Sequence, residues 1–138
     1  MQHPRDLAVA EVVAQHMPLP AQIARPRLTA REMLALIAGC DLVVALRLHA
    51  LIFAAVCGRP MVAISYDPKV DGQMEELGLK AATSVAAFDG QALGDALARA
   101  WEQRAEIATS LAEPVARLRA AARRSIELAL SLLPEVAP

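Results

Sequence analysis

The chain has 138 residues and a mass of 14.7 kDa, the size of one ordinary domain that buries roughly 68% of its unfolded surface in a single core. Charged residues make up 21% against 56% hydrophobic, and the formal net charge is -1, which excludes an acidic disordered chain and disfavours a basic nucleic-acid binder. Thirty alanines inflate the hydrophobic share, and no unbroken apolar run reaches the ~18 to 20 residues of a bilayer span, so no transmembrane segment is expected.

In chain order, Asp6 is placed to cap a helix that carries Leu7, Ala10, Val13 and Ala14 on one face, and the Met17-Pro18-Leu19-Pro20 run must stop it near His16. A short extended piece follows around Ala21 to Ala24. Thr29 and Glu32 then stand at capping-box spacing ahead of Met33, Leu34, Leu36 and Ile37, with Gly39 to end that helix. Leu42-Val43-Val44-Ala45-Leu46, after Asp41, is too short for a helix and too uniformly apolar for a strand wetted on one face. It reads as a central parallel strand.

Ala50 to Val56 reads as an apolar helix closed by Gly58, and Met61 to Ser65 as a second buried strand, so the segment forms a βαβ unit. Val70 to Leu77 gives another short helix stopped by Gly78. Ala82 to Ala86 is a weaker strand, followed by a helix from Gln91 to about Ala112. Pro114 sits at the first turn of a last helix, where Val115, Leu118, Ala122, Ile126, Ala129 and Leu133 recur at helical spacing. Arg117, Arg119, Arg123 and Arg124 cover its other faces as a solvated surface. The expected fold is α/β: an open parallel sheet with helices on both faces and a helical C-terminus, residues 1–138 forming one domain.

Other signals are weaker. Trp101, Tyr66, Phe53 and Phe88 are the whole aromatic stock, 3% of the chain, which weakens readings that need an aromatic sugar cradle or stacking platforms for single strands. Cys40 and Cys57 lack CxxC spacing and a neighbouring histidine, so they read as buried free thiols and no metal is expected. No basic stretch leads into an apolar run at the start, and a cytoplasmic location is expected.

Open parallel sheets bind ligands beyond the carboxyl ends of their strands. Two consecutive strand-to-helix loops collect the suggestive polar groups there: Arg47-Leu48-His49, and Tyr66-Asp67-Pro68-Lys69. If the two strands are neighbours, their ends lie about 5 Å apart and both loops open onto one crevice. The helix starting near His49 adds unpaired N–H groups and a partial positive charge, which suits an anion. Arg47 offers a planar fork, Lys69 a point charge and His49 a movable proton, a set that fits a small phosphorylated acid. Blander roles stand beside these. Arg47 could pair with Asp67 across the loop mouth, His49 could cap backbone groups, and Tyr66 could be a packing residue with a hydrogen-bonded hydroxyl.

The stretch from Cys40 to Ala55 with its Arg-Leu-His-Ala element, then Gly58-Arg59-Pro60 and Ser65-Tyr66-Asp67-Pro68-Lys69-Val70, closely resembles the polysaccharide pyruvyl transferase family, in its bacterial members that modify cell-wall polysaccharide. The resemblance runs from about Met1 to Leu79. It implies a Rossmann-like, glycosyltransferase-B-like C-terminal domain of a two-domain enzyme. In such an enzyme phosphoenolpyruvate donates a pyruvyl group that becomes a ketal on a sugar. Arg47, Leu48, Tyr66, Asp67 and Lys69 would then bind substrate, and His49 would act as the catalytic acid. No cofactor is implied beyond the donor.

Family members are more than twice this length, so the chain looks like a fragment without the acceptor-side domain, expected to bind donor but not to turn it over. An open sheet edge and an uncovered apolar face would invite a homodimer. Two alternatives stay open: half of a sugar-nucleotide glycosyltransferase or epimerase, a fold analogy for which the Ala87-Phe88-Asp89-Gly90 loop offers a base and ribose little beyond Phe88 and Asp89, and a non-catalytic remnant that self-associates.

Overall fold

The computed structural model describes residues 3–24 and 27–133. Its elements run α1 (His3–His16), α2 (Ala30–Ala38), β1 (Val43–Ala45), α3 (Leu48–Val56), β2 (Met61–Ser65), α4 (Pro68–Glu76), β3 (Thr83–Ser84), α5 (Gly90–Glu102), α6 (Arg104–Ser110) and α7 (Ala112–Ser131). They fall into two compact units, one ending at Met33 and the other beginning at Leu34.

In the first unit α1 stops at His16 ahead of the Pro18 and Pro20 pair, as expected. Asp6 is not its cap. The helix starts three residues earlier, at His3, so Asp6 lies in the first turn, where a carboxylate suits the positive end of the helix dipole. Leu7, Ala10, Val13 and Ala14 line one side of a shallow groove whose other side is Met17 and Ala21 to Ala24. The capping box of α2 is complete. The Thr29 backbone N–H donates to Glu32 Oε2 at 2.8 Å, and the Glu32 N–H donates back to Thr29 Oγ1 at 3.3 Å.

In the second unit the sheet has three parallel strands in the order β1-β2-β3. The centre is therefore β2, not the 42–46 strand. Met61, Val62 and Ala63 are consecutive and all buried, so both faces of β2 are covered. Val44 of β1, by contrast, is 49% exposed and Leu46 is 38% exposed. An apolar run of five has the composition of a covered strand, but whether neighbours cover it depends on strand order, which composition does not encode.

The two helices α3 and α4 return the chain by the same device. Gly58 and Gly78 take φ of 62° and 73°, the left-handed conformation that side chains resist. The following residue closes each turn, Arg59 N–H on the Ala54 carbonyl at 2.8 Å and Leu79 N–H on the Met74 carbonyl at 2.8 Å. These closures bring Leu51, Ala54, Val70 and Met74 into a core with β2, joined by Leu77, Ala100 and Leu111.

The expected helix from Gln91 to Ala112 is broken at Gln103 into α5 and α6. Arg104, the first residue of α6, follows the break, its Nη1 donating to the Trp101 carbonyl at 2.8 Å while the guanidinium lies 4.7 Å from the Trp101 ring centroid. The apolar stripe of α7 also departs from expectation. Val115 and Leu118 are half-buried, but from Ala121 to Leu130 every residue is exposed, Ile126 at 60%. Helical spacing reveals a stripe, and α7 runs past the elements it packs on. Of its arginines, Arg117 is tied down, donating from Nη2 to the Glu76 carbonyl at 2.8 Å. Cys40 and Cys57 are free thiols, half-buried rather than buried, donating to the Leu36 and Leu34 carbonyls at 3.5 Å.

Leu51 has no exposed surface, so Leu51→Ala should cost about 2 to 5 kcal/mol in urea denaturation. Ile126→Ala should change stability by less than about 0.5 kcal/mol. A large loss at Ile126 would show that α7 is covered in solution.

Candidate functional site

Register decides what can meet at the carboxyl rim. Ala45 is the partner of Ala63, and Ser65 is the partner of Ser84. Counted onward, Arg47 comes level with Ser65 and Ser84, so the chain leaves all three strands at one rim, with adjacent exits about 5 Å apart. The expected convergence of the 47–49 and 66–69 loops therefore follows from the parallel pairing of β1 with β2.

Arg47 is the N-cap residue of α3, in extended conformation with φ −78° and ψ 123°, and its side chain makes no capping hydrogen bond. It is exposed. Leu48 is the first helical residue and half-buried, turned toward packing, while His49 follows in the first turn and is exposed. The first intrahelical bond of α3 runs from the Ala50 N–H to the Arg47 carbonyl at 3.0 Å. The Leu48 and His49 N–H groups precede that bond, at the positive end of the helix.

The second loop is built differently. Asp67 caps α4, its Oδ1 accepting from the Lys69 N–H at 3.0 Å, with Pro68 at the first turn. Its Oδ2 lies 3.5 Å from Lys69 Nζ, an ion pair within its own loop. Tyr66 is 44% exposed rather than packed, with Lys69 Nζ 5.3 Å from its ring centroid. The Lys69 ammonium is held above its ordinary pKa, first by the Tyr66 side chain and then by the Asp67 charge. The Asp67 carboxyl is held below the ordinary aspartate range, chiefly by the Lys69 backbone N–H; partial burial opposes this, and the Lys69 charge adds to it. Lys69 thus reaches the rim partly neutralised.

These facts rank the two helix starts. A carboxylate already occupies the positive end of α4, which leaves little attraction for a second anion there. The Arg47 side chain makes no capping hydrogen bond at α3, so of the two helix starts this is the one without a carboxylate from its own cap residue. One anchor is absent from the sequence reading: buried Ser65 donates from Oγ to Asp71 Oδ2 at 2.8 Å, pinning the end of β2 to the first turn of α4. Its signal was a lone hydroxyl closing an apolar strand six residues before an acid. Among the described residues no three His, Cys, Asp or Glu side chains gather as metal ligands, and no helix is long and apolar enough to cross a membrane.

Residues 5–68, just under half of the chain, match the family model described as polysaccharide pyruvyl transferase. The expected resemblance is borne out over that stretch, and it ends one residue short of Lys69 rather than at Leu79. Arg47, Leu48, His49, Tyr66 and Asp67 lie within the match. No curated protein and no solved structure matches the chain.

Because a backbone N–H is the largest cause of the lowering at Asp67, Lys69→Ala should leave its carboxyl titrating below the ordinary aspartate value in a carboxyl-detected NMR titration. The linked stability has a definite sign. A lowered folded pKa stabilises the loop above the ordinary aspartate pKa, and that contribution is lost as pH falls through the folded value. A return to the ordinary range in Lys69→Ala would assign the shift to the ion pair instead.

Proposed function

We propose that the 47–69 rim is the phosphoenolpyruvate site of a polysaccharide pyruvyl transferase, moving a pyruvyl group onto a sugar as a ketal. The observation that carries this reading is the coincidence of the family match with an uncapped helix start flanked by Arg47 and His49. A phosphoryl or carboxylate group of the donor sits at the Leu48 and His49 N–H groups. The Arg47 fork binds it bidentately, and Lys69 adds charge from the neighbouring loop.

In the reaction so read, an acid protonates the donor's methylene carbon while a sugar hydroxyl attacks the adjacent carbon. A second hydroxyl of the same sugar then closes the ketal as phosphate departs with the C–O bond electrons; of the two hydroxyl protons released, one restores the acid and the other leaves on the phosphate. His49 is the proton donor, being the titratable group on the rim nearest the α3 start and exposed to ligand. Arg47 offsets the charge that gathers on phosphate as it leaves. Tyr66 and Asp67 hold Lys69 in place. The product belongs to cell-wall polysaccharide assembly, and the donor, an intermediate of central metabolism, places the step in the cytoplasm.

Isothermal titration of the chain with phosphoenolpyruvate should show saturable binding, weakened about ten- to hundredfold by Arg47→Ala through loss of charge-assisted hydrogen bonds. His49→Ala should weaken binding by only a few-fold. Equal affinity in Arg47→Ala and the parent would remove the site from the 47–49 loop.

A further inference from the structure

The third strand exit belongs to the same rim. Register carries it there: Ser84 is the partner of Ser65, so Val85 comes level with Tyr66, and the loop from Val85 to Asp89 opens beside the 66–69 loop. This loop is apolar and exposed, with Val85 at 55% and Phe88 at 60%. It is also held in shape. Thr83 Oγ1 donates to the Ala87 carbonyl at 3.1 Å and accepts from the Asp89 N–H at 2.9 Å, and Ser84 Oγ accepts from the Ala87 N–H at 3.1 Å. Asp89 then caps α5, taking the Gln91 and Ala92 N–H groups at 2.9 and 3.0 Å. Phe88 is fastened between two braced neighbours with its ring in water.

Only four aromatic residues occur in the chain, and two of them, Tyr66 and Phe88, stand exposed in consecutive strand exits at this rim. Side-chain chemistry changes in order across it: Arg47 and His49 at the β1 exit, the Lys69–Asp67 pair with Tyr66 at β2, and an apolar surface at β3. Three strands span about 10 Å, the length of a three-carbon acid beside one sugar ring. We infer that Phe88 is the platform on which the acceptor's pyranose ring lies, its C–H face against the aromatic ring, with Tyr66 bordering the donor. This rests on the reading of the 47–69 rim as the donor site. A pre-set aromatic gives up little conformational freedom on binding, which suits a weakly hydrated sugar face better than a charged group.

The test uses the chain with phosphoenolpyruvate and methyl β-D-galactopyranoside, a ring with a continuous apolar face. Titrating the glycoside should shift the Phe88 ring resonances in NMR spectra. Phe88→Ala should weaken glycoside binding about tenfold while phosphoenolpyruvate affinity stays within twofold, and Phe88→Trp should restore the glycoside. Glycoside affinity unchanged in Phe88→Ala, or absence of binding at 100-fold excess over protein, overturns the platform. Phe88 shifts produced by uridine monophosphate and not by the glycoside overturn it in favour of a base. Glycoside binding through Phe88 with no phosphoenolpyruvate binding would leave the platform standing and remove the donor site.

Discussion

Parallel pairing of β1 with β2 is the constraint on which the site depends. A parallel pair cannot be joined by a tight turn, so the chain must cross over through α3 before it returns to the sheet. That crossover puts the start of α3 and the start of α4 at the same end of their strands. The register Ala45 to Ala63 fixes how far each loop reaches. Shifting it by one residue would turn every β1 side chain to the other face and carry Arg47 past the level of Ser65. The left-handed glycines after α3 and α4 serve the same end, since each lets the chain reverse without lengthening the loop.

Within that frame, capping decides which helix start is available to a ligand. Both α3 and α4 have their positive ends on the rim, yet Asp67 closes one with its own carboxylate while Arg47 makes no side-chain capping bond at the other. A protein that needed only stability would gain on the order of 1 kcal/mol from a Ser, Thr or Asp in place of Arg47 at the cap. A cation at an N-cap is instead mildly unfavourable for the helix itself. Charge placed at a helix start in this way is what the proposed donor site calls for.

Much of this was legible in the sequence, and the parts that were not share a cause. The capping box at Thr29 and Glu32, the stops at Gly58 and Gly78, and the βαβ unit are local patterns, each set by a few neighbouring residues. The two site loops followed because strand-helix-strand order alone sends their residues to one rim. Strand order across the sheet is not local. The apolar run at 42–46 therefore looked central, whereas β1 has one strand neighbour among the described residues. The α7 stripe failed likewise: its spacing is real, but Ile126 and Leu130 meet solvent because the helix outruns its partners. The break at Gln103 is accompanied by Arg104 reaching a carbonyl three residues back, a detail that propensity sums over a window smooth away.

Composition and placement gave opposite indications about ring ligands. Four aromatics in 138 residues argue against any extended stacking surface. A single ring ligand needs only one or two aromatic faces, provided they are exposed, braced and beside the groups that carry the charge. Residues in the core are chosen for volume, so a scarce aromatic is expected to be spent there, where its large apolar area contributes most. None of the four is fully buried here, and Trp101 is itself 50% exposed on α5, but Tyr66 directly follows β2 and Phe88 lies four residues beyond β3, both in loops whose backbones are tied by side-chain hydrogen bonds. Exposure of this kind adds nothing to folding. The polarity gradient from Arg47 to Phe88 then has a simple chemical counterpart in a molecule with an anionic end and a ring.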